Sequence, residues 1–275
     1  MTFVLGQTRL QHLETRVANI LAIRFARLGD VVLLLQALGQ LRSTFPEANL
    51  SLITEIHHAP LARLCPYLDE VIAVDRHAMS DGPKFRAIRD ISALIHTVRS
   101  RQFDLAIDFH SFRETNLLTC LSGAQYRLGM KRSNRSYLSF CFNVEPVLED
   151  KSLHVGEMFS RVASGAAGGA VPNCSKPNTS IVIPEDIRDS VRNRYLPDAE
   201  ETTIVAVYVG ASVSSRRWPT EHFAAIADHV AAVWEANVLI LTGISSVEQA
   251  IGLEVEKLIK RHDRVQLVAG LDLPS

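Results

Sequence analysis

Short, nearly unbroken apolar runs alternate along the chain with longer stretches in which apolar positions recur every three to four residues. "NILAIRF" (19–25) has the character of a strand buried on both faces. "VVLLLQALGQLRSTF" (31–45) follows it with helical periodicity and ends before Pro46, because the residue preceding a proline is pushed out of helical geometry. "ANLSLIT" (48–54), "DEVIAVD" (69–75) and "FDLAIDF" (103–109) predict further strands, with a helix over 84–101. Strands alternating with helices predict βαβ units and a parallel sheet covered on both faces.

The segment "SGAAGGAVPNCSKPNTS" (164–180) interrupts this alternation with three glycines and two prolines, which is linker composition. A second series follows: "TTIVAVYVG" as a strand, "TEHFAAIADHVAAVWEA" as a helix, then "NVLILTG", "SVEQAIGLEVEKLIKRH" and "RVQLVAG" as strand, helix and strand. The pattern predicts two Rossmann-like α/β domains in tandem, over 1–163 and 181–275, joined by the 164–180 linker. There is no short-period repeat.

Composition removes several classes of function. The chain has 275 residues, 47% of them hydrophobic, enough for two medium domains. With 29 basic and 30 acidic residues, no global field draws it to nucleic acid. The longest charge-free run is 14 residues, below the roughly 18–20 that a spanning helix needs. The opening "MTFVLGQTRLQHLE" lacks a basic region followed by an apolar block, so no signal peptide is expected. Four cysteines (Cys65, Cys120, Cys141, Cys174) have no C-x-x-C spacing, which predicts reduced thiols in a cytoplasmic setting and no zinc site. His57 and His58 are adjacent and read as loop residues rather than metal ligands.

Candidate chemistry lies at the carboxyl ends of the predicted strands, where open α/β sheets bind ligands. After "NILAIRF" and the short loop "ARLG", Gly29 permits a tight turn and Asp30 stands at the start of the next helix. Asp30 reads equally as a helix N-cap or as a carboxylate aimed at a cleft and available as a general base. In "YVGASVSSRRWPTEHF" (208–223) a strand ends at Val209, and a small-residue loop with Gly210, Ala211 and Ser212 precedes Trp218-Pro219, with Pro219 near the first helical position. Such a loop can offer N–H groups and hydroxyls to phosphate, with Arg216 and Arg217 adding charge; a polar surface turn is the alternative. "LTGISS" (241–246), with Gly243 and Ser245, closes the next strand on the same edge, and the two loops suggest one nucleotide site. Neither a Walker loop nor a G-x-G-x-x-G fingerprint occurs in these positions. Residues 84–136 carry a net charge of +6, attractive to an anionic ligand. Arg113, Lys131 and Arg132 near strand ends, and His110 after "AIDF", are the candidates there.

"ILAIRFARLGDVVLLLQAL", "APLARLCPYLDEVIAVD", "FDLAIDFHSFRETNLLTCLSGAQYRLGMKR" and "VGASVSSRRWPTEHFAAIADHV", in this order, resemble glycosyltransferase family 9, the ADP-heptose:lipopolysaccharide heptosyltransferases. The resemblance runs from about residue 19 to 270. It implies a GT-B architecture with an N-terminal acceptor domain, a C-terminal nucleotide-sugar domain and metal-free catalysis in the cleft between them. Asp30 falls on the proposed base, and Arg216 on a basic position whose charge stabilises the departing diphosphate. Ala211 and Ser212 fall on phosphate-contacting positions, Ala211 without a hydroxyl to offer. Gly29, His110, Arg113, Lys131 and Arg132 are the expected acceptor contacts; Gly210, Ala211, Ser212, Arg216, Gly243 and Ser245 the donor contacts. The implied partners are an ADP-sugar, which is a substrate rather than a cofactor, and an anionic glycolipid, with room for peripheral contact at the inner membrane surface.

The family's D-T-G-P-x-x-H-like segment, which binds the nucleotide diphosphate, has no counterpart before "AGLDLPS". The expectation is therefore an incomplete second domain, and a non-catalytic nucleotide-binding remnant is the alternative function. A nucleotide-sugar epimerase is disfavoured by the missing dinucleotide fingerprint and the lack of a Tyr-x-x-x-Lys pair.

Overall fold

The computed structural model describes residues 17–25, 27–81, 84–133, 136–168, 181–196, 202–211 and 213–270. The chain divides into two compact units, the first ending at Val182 and the second beginning at Ile183.

The first unit is built on six parallel strands: β1 (Asn19–Ile23), β2 (Asn49–Glu55), β3 (Glu70–Val74), β4 (Leu105–Asp108), β5 (Tyr126–Lys131) and β6 (Val147–Leu148). Their spatial order is β3-β2-β1-β4-β5-β6. The direction of winding reverses between β1 and β4, so the loops leaving these two neighbouring strands diverge and leave a crevice. The strand period sorts side chains to two cores: Ile20 and Ala22 face one, Leu21 and Ile23 the other. Helices α1 (Leu28–Thr44) and α6 (Val155–Ala166) pack on each other over the first core, contributing Leu34, Leu38, Leu41, Phe159 and Val162. The opposite core takes Val98 from α4 (Lys84–Ser100) and Leu118 from α5 (Arg113–Leu121). Short helices α2 (Ala59–Arg63) and α3 (Arg76–Asp81) flank β3.

The first three residues of the segment predicted as linker, Ser164–Ala166, belong to α6 instead. Gly165 is a packing residue: a Cβ there would lie 2.9 Å from Val147 Cγ2, so its absence lets the helix lie close on the sheet. Residues 169–180 of that segment lie outside the described residues.

In the second unit, β7 (Ile204–Tyr208), β8 (Asn237–Leu241) and β9 (Val265–Val268) run parallel in that order. Helices α8 (Thr220–Val233) and α9 (Ser246–Leu258) pack on them through Ala224, Ala227, Ala231 and Val255, while α7 (Glu185–Tyr195) has no buried residue. Both units are α/β with parallel sheets. No helix among the described residues is long and apolar enough to cross a membrane.

One buried acid shapes the loop after β4. Asp108 is fully buried, and its Oδ1 accepts the backbone N–H groups of His110 (2.9 Å) and Ser111 (2.8 Å) while Oδ2 accepts Asn116 Nδ2 (2.8 Å). These bonds hold Ser111 at φ +62°, a left-handed conformation that non-glycine residues seldom adopt. Asn116 Oδ1 accepts the Leu138 N–H, so the same cluster anchors the segment after β5. Burial pushes the Asp108 carboxyl up, against the opposing pull of these donors. Replacing Asp108 by Asn turns one acceptor into a donor facing Asn116. We expect a loss of about 1–3 kcal/mol in chemical denaturation, the usual cost of leaving buried donors unmet; unchanged stability would show that the cluster is not a structural anchor.

At the other end of the sheet, Arg101 donates to both Glu70 oxygens, with Nε–Oε2 at 2.6 Å, and this guanidinium holds the Glu70 carboxyl below its ordinary 4.5. A depressed carboxylate stabilises the fold above the unfolded value, and that stability is lost as pH falls through the lower folded value. Melting curves across acidic pH should therefore fall less steeply for Glu70→Gln than for the parent. The pair is partly exposed, so the difference will be small; parallel curves would mean the pair adds nothing.

Candidate functional site

The crevice at the reversal point is lined by charged residues. Arg24, directly after β1, points its side chain inward and is almost completely buried. Its Nη1 donates to the Phe109 carbonyl at 2.8 Å, its Nη2 lies 3.3 Å from Asp30 Oδ2, and its guanidinium stacks 4.7 Å from the Phe159 ring centroid. Burial lowers the Arg24 pKa, with Asp30 opposing the shift and Arg132 adding to it. Arg24, Arg27, Gly29, Asp30, His110, Phe112 and Arg132 share the wall of one open cavity of about 870 Å³. Arg24 Nε and Arg132 Nε have no hydrogen-bond partner among the described residues.

Asp30 is not the N-cap. Arg27 holds that position in extended geometry, so α1 starts three residues before its apolar run and Asp30 becomes its third residue, with its N–H donating to the Arg27 carbonyl at 2.9 Å. The Asp30 carboxylate, 30% exposed, is directed to Arg24 rather than to the helix end. Gly29 is likewise helical and no tight turn depends on it; a Cβ there would meet nothing within 4 Å, so it leaves the cavity wall bare beside Asp30.

His110 is buried in edge contact with Phe25 and Phe112, on the loop that Asp108 organises. Arg132 follows β5 and lies over the Phe112 ring at 5.5 Å. The structure thus brings Gly29, Asp30, His110 and Arg132 to one cavity. Arg113, exposed at the start of α5, and Lys131, the exposed last residue of β5, do not line it. Arg24, Arg27 and Phe112 were not singled out from the sequence. The signal was present for Arg24: one cation near the end of an otherwise apolar strand must find a partner if the strand is buried.

In the second unit, Gly210 and Gly243 follow β7 and β8. Between them stands Glu248 of α9, whose Oε2 accepts the Gly243 N–H at 3.0 Å and the Tyr208 hydroxyl at 2.9 Å. A Cβ on Gly210 would lie 2.5 Å from that hydroxyl, so the glycine is needed for this approach. Ser245 caps α9 by position but makes no side-chain cap bond. Pro219, predicted near the first helical position, is the N-cap of α8, one residue earlier. Arg216 is exposed on the 3-10 turn Ser214–Arg216, and Arg217 approaches the Ala211 carbonyl at 3.5 Å. Ser212 lies outside the described residues. Glu248 and Tyr208 were also missed by sequence reasoning. No three His, Cys, Asp or Glu side chains converge on a metal position among the described residues.

A Veillonella parvula structure of a family 9 glycosyl transferase superposes with a TM-score of 0.75 at 19% identity, over 92% of this chain and 70% of that one. The Escherichia coli heptosyltransferase WaaC, solved with ADP-2-deoxy-2-fluoro heptose, gives 0.74 at 16% identity over 93% and 77%. The E. coli ADP-heptose lps heptosyltransferase II gives 0.70 at 18% identity over 92% and 72%. At these identities the likeness establishes the fold. A Haemophilus influenzae protein described as "Putative glycosyltransferase" is 32% identical over 110 residues, a stretch covering 40% of this chain and 30% of that relative. The model of glycosyltransferase family 9 (heptosyltransferase) matches residues 91–275. A match over more than half of its length places the chain in glycosyltransferase family 9.

Proposed function

We propose that the chain carries out an inverting glycosyl transfer, moving a heptose or a related sugar from an ADP-sugar to an anionic acceptor of the lipopolysaccharide-core type. The observation that carries this reading is the Asp30 carboxylate, held by a buried guanidinium and open to a cavity of substrate size. Asp30 takes the proton of an acceptor hydroxyl as that oxygen attacks the anomeric carbon. The bond from this carbon to the donor phosphate breaks, the configuration inverts, and ADP leaves with the bonding electrons. The base need not return its proton to the leaving group, because a diphosphate is stabilised by cations and N–H dipoles. This scheme draws on no metal ion.

Arg24 is the positioning residue: its contacts with Phe109 and Phe159 leave Nη2 to orient Asp30. Arg27 and Arg132 in the cavity wall supply positive charge for an anionic acceptor. On the donor side, Glu248 repels phosphate and accepts from hydroxyls, so the diphosphate belongs with Arg216 and Arg217, and donor hydroxyls with Glu248. Phosphate contact by Ala211 is limited to its backbone.

Asp30→Asn should lower sugar transfer, followed as ADP release, by about 10²–10⁴-fold, with ADP binding retained and the melting temperature lowered, because the buried Arg24 loses its counter-charge. Transfer at the parent rate would remove Asp30 from the base role. Arg216→Ala should weaken ADP binding measured by calorimetry by about tenfold or more, in line with the loss of a charge-assisted contact of roughly 1.5–3 kcal/mol. Unchanged affinity would place the diphosphate elsewhere.

A further inference from the structure

A second cavity lies against the first. It has a volume of about 480 Å³ and a mainly apolar lining: ten of its fourteen residues are apolar, among them Val74, Met79, Ile91, Leu94, Leu118 and Leu121, with Arg76, His110, Glu114 and Thr115 as the polar members. His110 and Phe112 line both cavities, so a two-residue wall separates a charged chamber from an apolar one. The catalytic scheme uses nothing in the apolar chamber.

Its mouth carries apolar side chains beside the exposed Arg76 and Glu114. Ile91, Leu117 and Leu121 are each more than 40% exposed there. One face of α4 carries Val98, Ile95, Ile91, Ile88 and Phe85 at spacings of three and four residues. The carboxyl-terminal end of this stripe is buried at Val98, and its amino-terminal end is open, with Phe85 74% and Ile88 65% exposed. The stripe thus continues the core outward past the cavity. Space of this kind gives water few hydrogen-bond partners, so an apolar occupant gains by displacing it.

Charge narrows the occupant. Arg24, Arg27 and Arg132 surround the adjoining chamber against the single carboxylate of Asp30, while Arg76 and Glu114 balance each other around the apolar one. A ligand spanning both chambers would be apolar at one end and anionic at the other.

We infer that the apolar cavity is a hydrocarbon-chain site, which receives one alkyl or acyl chain of the anionic lipid acceptor while its polar head lies in the Asp30 cavity. This rests on the acceptor reading of the Asp30 cavity given above. The occupant is a chain rather than a partner helix because the apolar volume is a pocket beside a polar chamber, and a helix would need a groove along its length.

The test is calorimetric titration of the whole chain with n-alkyl carboxylates of six to fourteen carbons, each below its micelle concentration. The expected result is saturable binding that tightens by up to about fourfold per methylene and then levels off as the chain outgrows the cavity. Leu121→Trp, which fills the mouth, should weaken the longest bound member at least tenfold, with ADP binding unchanged. Leu117→Asp is the second variant, since it places a charge at the mouth from an exposed helix position. Neutral n-alkanols should bind more weakly than carboxylates of equal length, and Arg132→Gln should reduce that difference. Absence of saturable binding overturns the chain site, as does tightening that never levels off and is the same in both mouth variants. A carboxylate preference untouched by Arg132→Gln overturns the placement of the head. Since none of these readings uses sugar transfer, they stand apart from the Asp30→Asn result, which tests the acceptor reading by itself.

Discussion

Burying the Arg24 guanidinium is the constraint on which the candidate site depends. A charge removed from water costs several kcal/mol unless partners replace its hydration. Arg24 finds three of different kinds: the Phe109 carbonyl, the Asp30 carboxylate and the face of Phe159. They belong to the loop after β4, the start of α1 and the middle of α6, so meeting the needs of one cation joins three elements at the reversal of the sheet. Asp30 is fixed there by electrostatic need rather than by capping, which Arg27 and the helix backbone provide. The carboxylate therefore stays free of the helix end, partly exposed, with one oxygen committed to Arg24 and its remaining lone pairs open toward the cavity.

The second unit shows the opposite charge arrangement at its strand ends. A carboxylate, Glu248, occupies the gap between two glycine loops, while the arginines stand to one side on an exposed turn. The glycines do not need unusual backbone angles to be useful. They are bare so that the Tyr208 hydroxyl and Glu248 can come close, which couples β7, β8 and α9 through one acceptor atom. The same small-residue loops that suggested a phosphate cradle are in this unit also the seat of a hydroxyl-accepting carboxylate. That division suits a ligand with both a polyphosphate and a sugar.

Much of this was legible in the residue pattern, because burial acts directly on it. β1, β2, β3, β4 and α4 lie within two residues of their predicted limits, as β8 and the start of α8 do. The doubly covered sheet follows from apolar runs without alternation. Helix α6 was less legible: its last turn holds Ser164, Gly165 and Ala166, and small residues chosen for close packing are indistinguishable in composition from a linker. Asp30 drew attention in the sequence because it stands where two elements meet. Arg24, Glu248 and Tyr208 were not, because each looks locally like an ordinary strand or helix residue, and its importance comes from partners 85, 5 and 40 positions away. Pairing across a sheet is what a linear reading cannot supply.

The two cavities of the first unit share their governing interaction as well as their wall. His110 and Phe112 are placed by the turn at Ser111, and that turn is held by Asp108 from within the core. Phe112 is fixed a second way, since its N–H donates to Thr115 Oγ1 at 3.0 Å as α5 begins. Asn116, one turn into the same helix, closes the circuit back to Asp108. A rigid partition matters if a ligand is to lie in both chambers, because a mobile one would let the charged and apolar environments mix. It would expose Arg24 to water and Leu118 to charge. The buried acid thus separates two solvents, and the cost of burying it is met by the donors that build the wall.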